Sequence, residues 1–164
     1  MSLSEKISIV QTVIYVVSAI AAVALLHRSR VDAKRNALTA LLTQHRADAR
    51  WQASTSAVYE YSKHGKSLDA NALLDSPKEL ATILFLLDAH EQIAIQIYYR
   101  SIDEKLFKAN AYSNYLSVWN TLRPLVVALR AKRGQPSLYE YYEFIAGEWK
   151  FDPPVKPNSL RWEC

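Results

Sequence analysis

In the most apolar stretch of this chain outside its N-terminus, where LATILFLL is followed shortly by IAIQIYY, Asp88, Gln92 and Gln96 mark one narrow polar strip and Glu91 stands apart from it. At about 100° per residue it falls in the middle of a helical row formed by Leu80, Leu84, Leu87, Ala94, Ile95 and Tyr98. A carboxylate on such a row needs a cation or good donors, or it holds its proton. Arg123, Arg100 and the Tyr or Trp side chains of neighbouring helices are the candidate partners. The expectation is a buried polar anchor, Glu91 with Arg123, that fixes helix packing; a catalytic acid or base is the rival. His45 shares a face with Leu38, Leu41, Leu42 and Ala49. No second His or Cys stands at ligand spacing beside it, so a packed or interface histidine is expected rather than a metal ligand.

Other chemistry is hard to place. There is no G-x-S-x-G, no Walker-type loop, no paired cysteine and no H-E-x-x-H. Three glycines in the whole chain argue against a backbone cradle for phosphate. Small helical bundles that cut RNA carry an Arg followed closely by a His. Arg35 and His45 are too far apart for this, and no histidine follows Arg100. No catalytic residue, cofactor site or metal ligand is therefore expected. Cys164 is the only cysteine, so no intramolecular disulfide can form, which is compatible with a reducing compartment. The net charge of +4 is mild and is read as an ordinary surface plus one basic cluster, with no specific nucleic-acid partner.

The elements that must position these residues begin with a membrane segment. Residues 7–26, ISIVQTVIYVVSAIAAVALL, contain no charge and at about 1.5 Å per residue span roughly 30 Å, a bilayer core. Hydroxyls in the run can bond back to helix carbonyls, and Gln11 lies near enough to an end to reach headgroups. A cleaved signal peptide is disfavoured: the preceding residues offer only Lys6, and the run continues into HRSR without a small-residue cleavage site. Lys6 with Glu5 precedes the span, whereas Arg28, Arg30, Lys34 and Arg35 follow it. Positive charge collects on the cytoplasmic side, so residues 1–6 are expected outside and the chain from 27 onward inside, at a bacterial inner membrane. The four cations are expected against anionic headgroups. Ser18 and Ala22 stand at small-xxx-small spacing, which lets two spans approach closely as an oligomer contact.

Residues 27–151 are read as a cytoplasmic helical domain of about four to five helices, making the fold all-α. A long helix is expected from about Val31 to Lys63, continuous with the span and closed by Gly65 and KSLDAN. Three later helices announce themselves with S-x-x-E capping boxes at Ser76, Ser101 and Ser137. The second runs to about Arg133 with Tyr115, Val118, Trp119, Leu122, Val126 and Leu129 on one side, and Pro124 inside it predicts a kink. In the last helix Phe144, Ile145 and Trp149 are expected to dock inward, with Tyr139 and Tyr142 at the edges. Residues 152–164 form a proline-rich tail, expected to be extended, with Leu160 and Trp162 as a conceivable docking hook.

FLLDAHEQIAIQIYYRSIDEKLF, VWNTLRPLVVALR and LYEYYEFIAGEW occur in that order between Leu84 and Lys150. Together they resemble the DUF4760 family, bacterial proteins pairing an N-terminal membrane helix with a helical domain. The resemblance places Glu91, Ile93, Ala94, Ile102, Asp103, Trp119, Arg123, Tyr139, Glu140, Phe144 and Trp149 on recurring positions, and implies the fold without an activity. A more distant resemblance, of architecture alone, is to the membrane accessory proteins of type VI-B CRISPR systems, which join one span to a helical domain and assemble as ring-shaped pores. The expected function is that of a non-enzymatic single-pass protein that self-assembles and acts at the bilayer, opening it in a bacterial anti-phage response. The alternative is a membrane-tethered adaptor whose helical domain or tail recruits a cytoplasmic protein. The expected partners are thus the lipid bilayer, further copies of the chain and a cytoplasmic protein, with no cofactor.

Overall fold

The computed structural model describes residues 2–63 and 68–154. These form six helices and no strand: α1 (Leu3–Ala47), α2 (Ala49–Lys63), α3 (Ala70–Leu74), α4 (Pro77–Tyr98), α5 (Glu104–Arg133) and α6 (Glu140–Phe151). The all-α architecture, a long N-terminal apolar helix followed by a five-helix bundle, is the one the sequence predicts. Gly65, Leu160, Trp162 and Cys164 lie outside the described residues.

α1 has neither proline nor glycine, and its 45 residues extend about 67 Å at 1.5 Å each. Between residues 2 and 30, every side chain whose burial is described is exposed; Val31 is the first to be partly covered. The Thr12 hydroxyl donates to the Ser8 carbonyl at 2.9 Å, removing a polar demand from the apolar stretch. The bundle takes hold of α1 only in its last third, where Leu38 is fully buried (0% exposed) and Leu41 and Leu42 pack against the core. Arg35 meets Asp103, just past the end of α4, at 3.4 Å. Ten residues further on, His45 stacks through Trp51 on His90 in mid-α4. Rising residue number in this part of α1 leads from the end of α4 back toward its middle, so the two helices point in opposite directions.

The single helix expected over 31–63 is interrupted at Asp48. Its carboxylate accepts from the Arg50 amide at 2.8 Å, as an N-cap does, and Gln52 Nε2 donates to the Arg46 carbonyl at 2.8 Å. An acidic cap in mid-helix starts α2 afresh. α3 was not expected; Asp69 creates it by accepting from the amides of Asn71 and Ala72.

The capping boxes mark the right neighbourhoods, but none of the three serines caps its helix through a side-chain bond. Ser76 is the N-cap of α4 with Pro77 in the first turn, but its hydroxyl makes no capping bond. Asp103, not Ser101, caps α5 by accepting from Leu106 N; Ser101 instead closes α4, its amide and hydroxyl both donating to the Gln96 carbonyl. α6 begins at Glu140, not near Ser137, and has no local side-chain cap. Pro124 does not end α5. It is exposed, and so is Asn120, whose carbonyl is thereby left open to water.

The expected inner row of α5 is buried throughout. α6 docks Ile145 and Trp149 inward as expected, but Tyr142 is fully buried and Tyr139 nearly so instead of standing at the edges, and Phe144 is half exposed. Tyr142 hydroxyl donates to the Tyr115 carbonyl at 2.8 Å and Tyr112 hydroxyl to the Trp149 carbonyl at 3.1 Å, so α5 and α6 are antiparallel. α4 and α6 then run the same way, with α4 at the centre.

Candidate functional site

The buried residues of α4, Ile83, Leu86, Leu87, His90, Ile93, Ala94 and Ile97, recur at the three- and four-residue spacing of one helix face. His90, not Glu91, occupies the middle of that face. Its Nδ1 lies 2.8 Å from the Leu86 carbonyl and donates to it. Complete burial pushes His90 down to about 4; the Leu86 bond opposes this, and the charge of His45 reinforces it. Around His90 the aromatic rings form a continuous column. His45 stacks on Trp51 at 4.1 Å, Trp51 on His90 at 5.2 Å, and His90 on Tyr142 at 5.1 Å, with Tyr115 beside it at 5.3 Å. Burial also lowers His45, against an opposing pull from Asp48. The column links α1, α2, α4, α5 and α6 through flat faces that tolerate little displacement.

Glu91 is half-buried at the rim of this column. Its two oxygens accept from the amides of Tyr142 at 2.7 Å and Tyr141 at 3.3 Å. With Tyr139 as N-cap, those are the N3 and N2 amides of α6, two of the four donors that a helix start leaves unpaired. Glu91 thus supplies from α4 the cap that α6 lacks in its own sequence. Desolvation raises its pKa, the two amides pull it back, Glu140 raises it slightly and Arg130 lowers it. Arg123, expected as its partner, is exposed instead. Arg130, two turns further along α5, is the cation that matters here. It donates to Glu143 at 2.7 Å and to the Leu138 carbonyl at 2.9 Å, tying the same helix start to α5.

Tyr139 completes the junction. Its backbone is left-handed (φ 61°), a conformation costing a bulky residue on the order of 1 kcal/mol. Its hydroxyl donates to Asp88 at 2.8 Å, and that bond together with burial raises its pKa. Asp88, Glu91 and residues 134–139 line an open cleft of about 600 Å³. Both oxygens of Glu91 are committed to α6, so the arrangement fixes a helix rather than presenting a free carboxylate. Among the described residues no group of three His, Cys, Asp or Glu side chains could hold a metal ion.

The other predicted residues are not gathered into this site. Ser18 and Ala22 lie on the uncovered part of α1. Arg28 and Arg30 are exposed, Arg28 reaching Asp32 at 4.0 Å, and Lys34 is partly covered. Arg35 reaches Asp103 at 3.4 Å while its side chain stays more than half exposed.

Comparison with protein families gives a match to DUF4760, a domain of unknown function, over residues 12–149. This chain belongs to the DUF4760 family. The match reaches well beyond the 84–150 stretch in which the resemblance is legible, and takes in most of the exposed apolar run as well as the column and the α4–α6 junction. No curated protein and no solved structure matches the chain.

His90 and Arg130 were missed from sequence, as was the pairing of Tyr139 with Asp88. The signal for His90 was present in the i, i+3, i+4 spacing of Ile83, Leu86, Ile93 and Ile97. α4 is apolar nearly all round, however, so its composition does not say which row faces inward.

Proposed function

We propose that this DUF4760 protein is a single-pass membrane protein, with residues 7–26 in the bilayer, its N-terminus outside and its helical domain in the bacterial cytoplasm. It self-assembles and acts at the bilayer rather than on a substrate. The observation that carries the reading is the N-terminal half of α1: a window of mean hydropathy 2.0 with none of it buried against the rest of the chain. An isolated apolar helix of that length has a bilayer as its natural solvent. Ser18 and Ala22 lie on its open surface, where a second span can approach. Perturbation of the membrane during an anti-phage response is the finer form of this proposal and follows the architectural resemblance to pore-forming accessory proteins.

Light scattering of the full chain in detergent or nanodiscs tests it. A discrete oligomer that Ser18→Leu with Ala22→Leu dissociates, and that releases dye from liposomes, is the expected result. A monomer at micromolar concentration sinks the assembly and leaves the adaptor. The adaptor has one observation of its own, an open, largely apolar groove of about 440 Å³ between α2 and α4, lined by Ala53, Ala81 and Phe85 among others.

A further inference from the structure

α6 leaves one face uncovered. Phe144, Gly147, Glu148 and Phe151 follow one another on it at i, i+3, i+4 and i+7, and all four are exposed, Phe151 by 85%. Four residues in this pattern outline the kind of hole that receives a side chain from a facing surface. Gly147 keeps the hole open: a methyl group added there would touch nothing in this chain. Its backbone is ordinary helix, so the fold itself does not call for glycine, which weakens a helix interior. A glycine kept against that cost suits the close approach of another surface.

Beside the hole stands a knob. Tyr99, the C-cap of α4, is 66% exposed. Tyr98 and Tyr141 flank its ring at 5.2 and 6.2 Å, and Tyr98 also meets Phe144 at 5.8 Å, so knob and hole lie on one continuous surface. α4 and α6 run the same way from the contact of Glu91 with Tyr142. Counted from there, Tyr99 is eight residues on and the centre of the hole between five and six, a difference of about 4 Å in height. Arg100 follows the knob and Glu148 borders the hole; among the described residues neither enters an ion pair. The acids nearest Arg100 in sequence or at the same end are engaged: Asp103 with Arg35 at 3.4 Å, Glu104 with Trp149 at 3.0 Å and Asp152 with Lys108 at 2.7 Å.

We propose that two copies of the chain pair through this surface, Tyr99 of each seating in the hole of the other and Arg100 of each facing Glu148 of the other. The proposal deepens the self-assembly described above and rests on it. Such a contact is isologous, each element meeting its complement across a twofold axis. Because knob and hole stand at nearly one height, that axis lies parallel to α4 and so to α1, and the two spans enter one bilayer from the same side. Tyr98, Tyr99, Phe144 and Phe151 together expose roughly 500 Å², a patch of the size that marks interaction sites. This is less than the roughly 800 Å² per partner of a stable soluble dimer. Two spans held in one membrane supply the difference by raising the effective concentration of the domains.

The test uses the full chain with Cys164→Ser, reconstituted in liposomes. One chain carries Tyr99→Cys and a second, lengthened by a tag, carries Gly147→Cys; the two are mixed and oxidised mildly. The mixed disulfide dimer should form several-fold more than between Tyr59→Cys and Gly147→Cys. Tyr59 is the control because it is 62% exposed yet lies in the cleft between α2 and α5. Adding Arg100→Glu to the Tyr99→Cys chain should lower the yield, and Glu148→Arg in the Gly147→Cys chain should restore it. All these side chains stand in water, so circular dichroism should give every variant the helix content of the parent. A yield at 99 equal to that at 59, in a chain that light scattering shows to be oligomeric, overturns this contact and leaves assembly through the span standing. A yield indifferent to Arg100→Glu, or one that Glu148→Arg does not restore, assigns the cross-link to random encounter and overturns the contact as well. A monomeric chain removes self-assembly, and this contact with it, and leaves the aromatic surface to a different protein.

Discussion

His90 is a histidine that cannot carry charge where it sits. The unfolded chain binds its proton near 6.5, whereas the buried ring does so only at about 4. Between those values the unfolded state holds more protons, so stability is complete above about 6.5 and is lost as pH falls. Integrated over the window, the loss is on the order of 3 kcal/mol. His45, also lowered, adds in the same sense. Glu91 acts oppositely: its raised pKa favours the folded state at low pH, and that contribution disappears as pH rises through its titration. Denaturation midpoints of the full chain in detergent should therefore drop from pH 6.5 to 4, and His90→Phe should flatten the drop while keeping a ring in the column. An unchanged slope in the variant would place the pH dependence elsewhere.

At the scale of elements, α6 depends on α4 for its beginning. Tyr139 adopts a strained backbone, no residue of the SLYE box caps the helix, and Glu91 accepts the two amides instead. Glu91→Gln keeps one acceptor but turns an amide NH2 toward the other N–H. It should cost about 1–2 kcal/mol, read as a lower thermal midpoint by circular dichroism, with faster hydrogen exchange confined to the first turn of α6. A neutral effect would mean that Arg130, through Glu143 and the Leu138 carbonyl, holds this start unaided. Three helix starts share one pattern. Asp48, Asp69 and Asp103 cap α2, α3 and α5 with short carboxylates next in sequence, a charged oxygen being the stronger acceptor for unpaired amides. α4 is the exception: Ser76 stands at its N-cap although Asp75 precedes it, and makes no side-chain bond.

Across the whole molecule, a long apolar rod is joined to a bundle at one narrow seam. Leu38 is the only fully buried side chain of α1 among the described residues, supported by Leu41, Leu42 and the Arg35–Asp103 pair. The ion pair is exposed on the arginine side and contributes at most about 1 kcal/mol. Leu38→Ala should cost about 2–4 kcal/mol through the cavity it leaves. Limited proteolysis should then cut between residues 31 and 47 while α2–α6 persist as a protected fragment. Equal resistance in both proteins would mean that the histidine–tryptophan stack, not Leu38, secures the seam.

The features that sequence alone determined are the local ones. An uncharged apolar run, a near absence of glycine, and the inner row of α5 are written in neighbouring residues, because helix formation and bilayer partitioning depend on a few turns at a time. Glu91 was legible as a polar anchor because a carboxylate among leucines demands partners. Its partners were not, since amides of α6 fifty residues away carry no mark in the sequence, and Arg123 is as basic on paper as Arg130. Tertiary structure alone decided which row of α4 faces inward, how α6 is rotated, and that His45, Trp51 and His90 meet. Each depends on how an all-round apolar helix is wrapped by its neighbours, and close packing selects one rotation among several that the pattern of residues permits.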